Sequence, residues 1–309
     1  MLRTIRLTAA IVCFALITLL FLDFTGTLHT WFGWLAKIQF LPAVLALNIG
    51  VVLLLIVLTL LFGRIYCSVI CPLGVFQDAV SWISGKRKKN RFRYSPALRW
   101  LRYGVLTVFV IALVAGWNTF VILLAPYSAY GRMASSLLAP FWQWGNNLMA
   151  YFAERAESYA FYEVDVWMKS LSTLIIAIIT LVVLFILAWR NGRTYCNTIC
   201  PVGTILGFIS RYSIFKPVID TSKCNGCGLC ARNCKASCIN TKAHEIDYSR
   251  CVACMDCLGK CKQGAIRYTR RIPKKESATT ETVQVKSVTA EQVNNARRSF
   301  LSASAVVAT

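Results

Sequence analysis

The sequence is short of charge, of acidic residues and of histidine. Charged residues make up 15% of its 309 residues, against about 25% in a typical soluble domain. Aspartate and glutamate together number 13, and the two histidines are His29 and His244. Two histidines and no C-x-x-C-H motif leave the chain without the usual means of holding haem. The low charge and a mean hydropathy of +0.56 favour a membrane protein over a soluble one.

The few charges that are present are mostly basic, with a formal net charge of +21. The basic residues lie beside apolar segments and are not interleaved with aromatic residues on one surface. This pattern is typical of the Lys- and Arg-rich inner loops of a membrane protein, and we predict no nucleic-acid partner.

Four apolar segments approach the ~20 residues that a spanning helix needs; they cover about 7–22, 41–62, 101–124 and 171–189. No small-residue cleavage site follows the first segment, which favours a retained helix over a signal peptide. Lysine and arginine number nine in 63–102 but one in 23–40 and three in 125–169. The positive-inside rule therefore predicts a four-helix bundle in the lipid of a bacterial inner membrane, with its N-terminus and everything after 190 in the cytoplasm.

The outer segment 125–169 is rich in aromatic residues; these include Trp142, Trp144, Tyr151, Phe152 and Phe161. Such residues are typical of a helix that lies at the membrane interface. Alternatively, these aromatic residues could line a quinone pocket. We expect His29, in the first outer loop, to be solvated, although it could also serve a quinone.

The ends of the second and fourth apolar segments share one motif, G-R-x-Y-C-x-x-x-C-P-x-G. It covers residues 63–74 and recurs 129 residues later. The repeat predicts a duplicated two-helix unit whose halves meet around a pseudo-two-fold axis. Cysteines four apart share a helix face, and Pro72 and Pro201 should open new helices at their first position.

The motif cysteines are Cys67, Cys71, Cys196 and Cys200. Brought together, four thiolates would suit an additional iron–sulfur cluster or another metal ion. Redox-active disulfide chemistry and plain packing are the alternatives. Cys13 stands alone in the first helix, and we expect it to pack.

Residues 224–234 and 251–261 both read C-x2-C-x2-C-x3-C. In two-cluster ferredoxins, the fourth cysteine of each run ligates the other 4Fe–4S cluster. The predicted ligands are Cys224, Cys227, Cys230 and Cys261 for cluster one, and Cys251, Cys254, Cys257 and Cys234 for cluster two. The ninth cysteine, Cys238, aligns with Ala265 and should pack beside a cluster without ligating it. Lys235 and Lys262 replace the usual proline, and we expect them to be solvated.

These motifs together resemble the membrane polyferredoxins, and the resemblance covers about 1–270. That family includes the quinol-oxidising membrane component of the periplasmic nitrate reductase system, the nitrous-oxide-reductase regulator and the assembly ferredoxins of haem–copper oxidases. The resemblance implies electron transfer between the quinol pool and a redox partner protein. A metal-ion reductase, or an assembly or regulatory ferredoxin for a metalloenzyme, is the alternative function.

We therefore predict an all-α four-helix transmembrane domain with an internal two-helix repeat over 1–215. A small α+β bacterial-type two-cluster ferredoxin domain follows over 216–270. Residues 271–296 read as a disordered linker. Residues 297–309 begin with Arg297-Arg298-Ser-Phe300-Leu301 and resemble the start of a twin-arginine export signal.

Overall fold

The computed structural model describes residues 2–23, 25–87, 92–156, 162–166 and 170–270. These residues belong to one compact unit. The predicted linker, the twin-arginine-like segment and Phe161 lie outside the described residues.

Helices account for most of the chain up to residue 209. In chain order they are α1 (Leu2–Leu22), α2 (Thr27–Phe32), α3 (Trp34–Lys37), α4 (Phe40–Leu45), α5 (Ile49–Phe62), α6 (Ile65–Val69), α7 (Pro72–Arg87), α8 (Arg99–Val114), α9 (Asn118–Leu124), α10 (Pro126–Met133), α11 (Ala139–Arg155), α12 (Leu171–Asn191), α13 (Thr194–Thr198) and α14 (Pro201–Ile209). A π-helical turn, Ala134–Leu138, joins α10 to α11, and a 3₁₀ turn, Ser210–Tyr212, follows α14.

The first and fourth predicted spans are single helices, α1 and α12. Each has 21 residues and is long and apolar enough to cross a membrane. Only 22% of the most apolar stretch of α1, and 17% of that of α12, is buried inside the protein. The remaining faces present large apolar side chains outward, which is the arrangement that lipid tails would cover.

The second and third predicted spans are each two helices in the structure. Between α4 and α5, Leu47 adopts a left-handed backbone conformation, and the side chain of Asn48 caps α5 by accepting a hydrogen bond from the Val51 N–H at 3.3 Å. Between α8 and α9, Gly116 has a φ of +75°. In both places the two helices pack against each other as a hairpin. The prediction of a four-helix transmembrane bundle is therefore not confirmed.

The helices α10 and α11 follow one another through the π-helical turn without a break. The backbone at Ala134 and Ala139 stays α-helical, so 30 residues form one continuous rod. The first part packs against α1, α7 and α12, and Tyr130 is buried there. Only the second part exposes aromatic residues, including Trp142 and Trp144, as an interfacial helix would. The sequence prediction treated 125–169 as an outer loop with its aromatic residues at the interface, and it missed the buried first part.

The C-terminal residues form a small module around two antiparallel strand pairs. β1 (Phe215–Ile219) pairs with β4 (Ile266–Arg270), and β2 (Ile239–Asn240) pairs with β3 (Glu245–Ile246). A short helix, α15 (Leu229–Arg232), lies between β1 and β2. The module rests on the end of α5, where the Ile214 N–H donates to the Leu60 carbonyl at 2.8 Å and the rings of Phe62 and Phe215 stack.

Candidate iron–sulfur and paired-cysteine sites

The four predicted ligands of cluster one line a single cavity of about 130 Å³; they are Cys224, Cys227, Cys230 and Cys261. Gly226 and Gly228 have φ values of +69° and +72°, which glycine adopts freely, so the first cysteine run can curl around the cavity. The fourth cysteine comes from the other run, in the crossed pattern that the spacing predicts.

The four predicted ligands of cluster two line a second cavity; they are Cys234, Cys251, Cys254 and Cys257. Cys238 lines the same cavity, with its Sγ 3.5 Å from the Sγ of Cys234. Ala253 and Met255 adopt left-handed conformations between these cysteines, and such conformations cluster where a site dictates the backbone. The cysteine sets therefore fit two clusters, although among the described residues no three His, Cys, Asp or Glu side chains converge closely enough to hold a single metal ion.

The two C-x-x-x-C-P motifs interlock through their arginines. Nη1 of Arg193 donates to the carbonyl of Cys67 at 2.5 Å, and Nη2 of Arg64 donates to the carbonyl of Cys196 at 3.1 Å. A Cβ on the motif glycine, Gly203, would lie 2.2 Å from that Cys196 carbonyl, so only glycine allows this approach. The reciprocal contact is what a pseudo-two-fold relation between the halves produces.

The structure brings the four motif cysteines into one buried region. Cys67, Cys71 and Cys200 belong to one cluster of buried side chains, and Nη2 of Arg64 lies 3.9 Å from the Sγ of Cys67 and 3.1 Å from the carbonyl of Cys196. Each of the four is at most 4% exposed. Pro72 and Pro201 open α7 and α14 as predicted, while Cys13 lies in α1, half-buried.

The motif tyrosines bond to the ends of neighbouring helices. Oη of Tyr66 donates to Oε1 of Gln39 at 2.9 Å and accepts from the Phe40 N–H, at the start of α4. Oη of Tyr195 donates to the carbonyl of Leu124, at the end of α9, also at 2.9 Å. Sequence reasoning missed this role, although the tyrosine stands in both copies of the motif.

A buried carboxylate on α7, Asp78, joins the motifs to the C-terminal module. It accepts two hydrogen bonds from Arg193, at 2.9 and 2.7 Å, and also pairs with Arg6 of α1. Nζ of Lys235 lies 3.6 Å from its Oδ1. Burial alone would raise the pKa of Asp78, but Arg193, then Lys235 and Arg6, hold that pKa far below its ordinary range.

Lys235 is not a solvated lysine, so that expectation is wrong. Its Nζ lies 3.0 Å from Oδ2 of Asp256, in addition to its contact with Asp78. Burial alone would lower the pKa of Lys235, but the two carboxylates raise it above its ordinary value. A position that ferredoxins usually fill with proline therefore carries an ionic link to the bundle. Lys262 is exposed, as expected.

A separate cavity of about 460 Å³ lies where the end of α1 meets α11. Leu22, Trp142 and Met149 contribute apolar walls, and Asp23 contributes a carboxylate. The Asp23 side chain is only 2% exposed, and His29 places Nδ1 3.8 Å from its Oδ2. The His29 side chain itself is 59% exposed, in keeping with a solvated loop histidine.

Comparison with known families identifies both cysteine-rich parts. A family described as "4Fe-4S binding domain" matches residues 44–90 and again 172–220, so each match holds one C-x-x-x-C-P motif. A second family of the same description matches residues 217–240, which contain the first ferredoxin-like run. The two matches of the first family support the internal repeat.

Two known proteins are similar to more than half of the chain. Ferredoxin-type protein NapH of Haemophilus influenzae is 26% identical over 195 residues, which cover 63% of this chain and 55% of NapH. Methylamine utilization ferredoxin-type protein MauN of Paracoccus denitrificans is 22% identical over 189 residues, which cover 60% of this chain and 53% of MauN. The matched residues thus span about half the length of these relatives. No solved structure matches the chain.

Proposed function

We propose that this chain, which is a member of the membrane polyferredoxin family, holds two 4Fe–4S clusters in its C-terminal module and passes electrons between the quinol pool and a redox partner protein. The observation that carries the proposal is the division of eight cysteines between two cavities, each lined by three thiols of one run and the fourth of the other. That division matches the crossed ligation of two-cluster ferredoxins.

Iron–sulfur clusters supply one-electron transfer when they are bound. The residues of the module shape that chemistry in two ways. Cys254 and Cys234 are buried, which keeps water from the second cavity, whereas Cys227 of the first cavity is exposed and lies where a partner could approach. Lys235 lies next to Cys234 in the chain, and positive charge beside a cluster favours its reduced state.

We propose that the module and the N-terminus share the cytoplasmic side of a bacterial inner membrane. Arg3 of α1 pairs with Asp256 of the module at 2.9 Å, and Arg6 pairs with Asp78, so the start of α1 lies beside the module. The basic stretch 63–102 favours the same side. Reporter fusions after Lys89 and after Arg270 should both report cytoplasm, and a fusion near residue 157 should report the outside.

We propose that quinol binds in the 460 Å³ cavity at the opposite end of α1. Its volume lies within the roughly 300–1,000 Å³ of small-molecule pockets, and its walls are mostly apolar. Asp23 supplies a carboxylate that accepts a hydrogen bond from a quinol hydroxyl and so positions the quinol. Asp23→Asn should therefore slow quinol oxidation while leaving the iron content unchanged.

The alternative, a metal-ion reductase that reacts at the paired cysteines, is disfavoured by their burial. A metal ion from solution would have to reach Cys67 or Cys196, which are 4% and 3% exposed.

The test uses full-length protein purified anaerobically in detergent. We expect oxidation of a menaquinol analogue to be coupled to appearance of reduced-cluster signals in electron paramagnetic resonance spectra. Cys254→Ala should remove one of those signals, while Cys13→Ser, the matched control, should retain both. Full cluster content without any quinol oxidation by the wild-type protein would overturn the quinol link and leave the cluster assignment standing.

A further inference from the structure

A basic cavity of about 540 Å³ lies between the C-terminal end of α12 and the C-terminal module. Residues of the connection between α7 and α8 form a further wall. No Asp or Glu is among the described residues that line the cavity, whereas five basic residues are; these are Arg93, Arg190, Arg193, Lys235 and Arg250. A concave site with charge of one sign attracts ligands of the opposite sign.

Two of the five basic side chains are available to a ligand. Arg193, Lys235 and Arg250 each pair with a carboxylate that lies outside the cavity lining. Arg93 and Arg190 are exposed, and over the described ranges no carboxylate lies within ion-pair distance of either. The planar guanidinium group can donate two parallel hydrogen bonds to a phosphate group, so this pair of arginines suits a phosphate ligand.

The position of the cavity along α12 indicates where the phosphate comes from. Arg190 directly follows Trp189, at the end of the apolar part of the helix. Leu98, which lines the cavity, stands two residues before Trp100, whose side chain is 90% exposed. Tryptophan is enriched at the level of the lipid headgroups, so the cavity lies at that level.

The face of α12 that leads away from Arg190 is apolar and open. Ile186 lies four residues before Arg190, and Val183 lies seven residues before it. Residues at this spacing share one face of a helix. Their side chains are 50% and 47% exposed. A lipid whose phosphate lies in the cavity therefore meets an apolar surface for its acyl chain, and a soluble phosphate compound gains nothing there.

The cavity also joins the bundle to the module. The Phe92 N–H donates to the Arg232 carbonyl at 3.2 Å, and the Ser95 N–H donates to the Ser237 carbonyl at 3.4 Å. Ser237 itself lines the cavity. A ligand in the cavity therefore lies against both sides of this contact, and we expect it to hold residues 92–98 against the module.

We propose that this cavity binds the phosphate group of an anionic phospholipid, with Arg93 and Arg190 as its charged partners and the acyl chain along Ile186 and Val183. Basic pockets between membrane helices are known to bind such headgroups. The single negative charge of a phosphodiester offsets part of the unpaired guanidinium charge. The proposal goes beyond the proposed function, since it requires neither quinol nor the ferredoxin clusters.

The first test measures lipid binding to full-length protein that is purified in a neutral detergent and freed of lipid. Phosphatidylglycerol should stay bound in native mass spectra and raise the unfolding temperature, whereas phosphatidylcholine should do neither. Each basic side chain contributes about five-fold to the binding of an anionic lipid, so Arg93→Gln/Arg190→Gln should bind phosphatidylglycerol about 30-fold more weakly. Arg99→Gln/Arg267→Gln removes the same charge from exposed positions outside the cavity and should bind as wild type does.

Two outcomes of this test would overturn the proposal. Equal weakening in the two double variants would mean that surface charge alone attracts the lipid. A rise in unfolding temperature with inorganic phosphate or glycerol phosphate as large as that with phosphatidylglycerol would assign the cavity to a soluble phosphate compound.

The second test locates the bound lipid by hydrogen exchange in the peptide that covers residues 92–98. Phosphatidylglycerol should slow exchange there in the wild type and in Arg99→Gln/Arg267→Gln, but not in Arg93→Gln/Arg190→Gln. Helical circular dichroism equal to that of the wild type shows that each variant is folded. Unchanged exchange over 92–98 when the lipid binds to the wild type would refute its placement in this cavity.

Discussion

Removal of the Asp78 carboxylate is the sharpest test of how the module and the bundle hold together. Asp78→Asn keeps the shape of the side chain but leaves Arg193, Arg6 and Lys235 without this anion. Arg193 is fully buried and loses its ion pair and one of its two hydrogen bonds, at 2.9 and 2.7 Å, because the amide replaces one acceptor oxygen with an NH2 donor. Removing one partner of a buried ion pair costs about 3–5 kcal/mol, and we expect a loss of that size in the free energy of unfolding.

The measurement is equilibrium unfolding in mixed micelles, followed by circular dichroism and by the visible absorption of the clusters. Asp220→Asn is a matched control, because the Asp220 carboxylate accepts its hydrogen bonds from the N–H and hydroxyl of Ser222 in its own turn; it should change stability by less than about 1 kcal/mol. A double-mutant cycle with Arg193→Met should give a coupling energy of up to about 3 kcal/mol. Wild-type stability in Asp78→Asn would refute the view that this carboxylate joins the two parts.

The ion pairs of Asp78 also predict how the free energy of unfolding depends on pH. The native pKa of Asp78 lies far below its unfolded value, so the carboxylate stabilises the fold fully above the unfolded pKa of about 3.9. As the pH falls below about 4, the unfolded state takes up a proton that the native state does not, and the stabilisation declines. The stability difference between wild type and Asp78→Asn should therefore stay constant from about pH 8 to pH 5 and shrink below about pH 4. A difference that grows on acidification would contradict the assignment.

Three further outcomes are expected. Cys238→Ala should keep both ferredoxin signals, whereas Cys254→Ala should lose one and weaken the other, as spectra of the dithionite-reduced proteins would show. Gly203→Ala should prevent stable folding, because its Cβ would lie 2.2 Å from a backbone carbonyl, whereas Gly145→Ala meets nothing within 4 Å and should behave as wild type in thermal unfolding. Tyr195→Phe leaves a carbonyl at the end of α9 without its hydrogen bond and should cost about 1 kcal/mol in unfolding free energy.

The cysteine spacing and the repeated motif were enough to predict the site residues that the structure brings together. Spacing along the chain fixes which thiols can face one cavity, and Pro72 and Pro201 fix where the following helices begin. The breaks between α4 and α5 and between α8 and α9 were harder to predict, because each lies within a continuous run of apolar residues. Asn48 is a common residue at a helix start, and Gly116 is a common residue at a helix end. The high average hydropathy of each segment nevertheless favoured a single spanning helix.

The sequence alone did not predict which basic residues are buried. Arg64 and Arg102 contribute to the basic count of 63–102, which the positive-inside rule treats as a solvated inner loop. Both are buried in the structure, because their partners are backbone carbonyls and an amide supplied by residues more than 100 positions away. Lys235 is likewise paired only through contacts that no local pattern reveals. Long-range partners of this kind decide whether a basic residue faces water or the core.

The duplication explains why the module can reach both halves of the paired-cysteine site. The two arginines occupy equivalent places, but each meets a different part of the module. The backbone N–H of Arg193 donates to the Lys235 carbonyl at 2.9 Å, next to Cys234, whereas Arg64 donates to Ser249, two residues before Cys251. Cys234 and Cys251 line the same cavity. A change of charge in that cavity therefore acts on Arg64, which also donates to the Cys196 carbonyl, whereas Arg193 is tied to the cavity through its backbone.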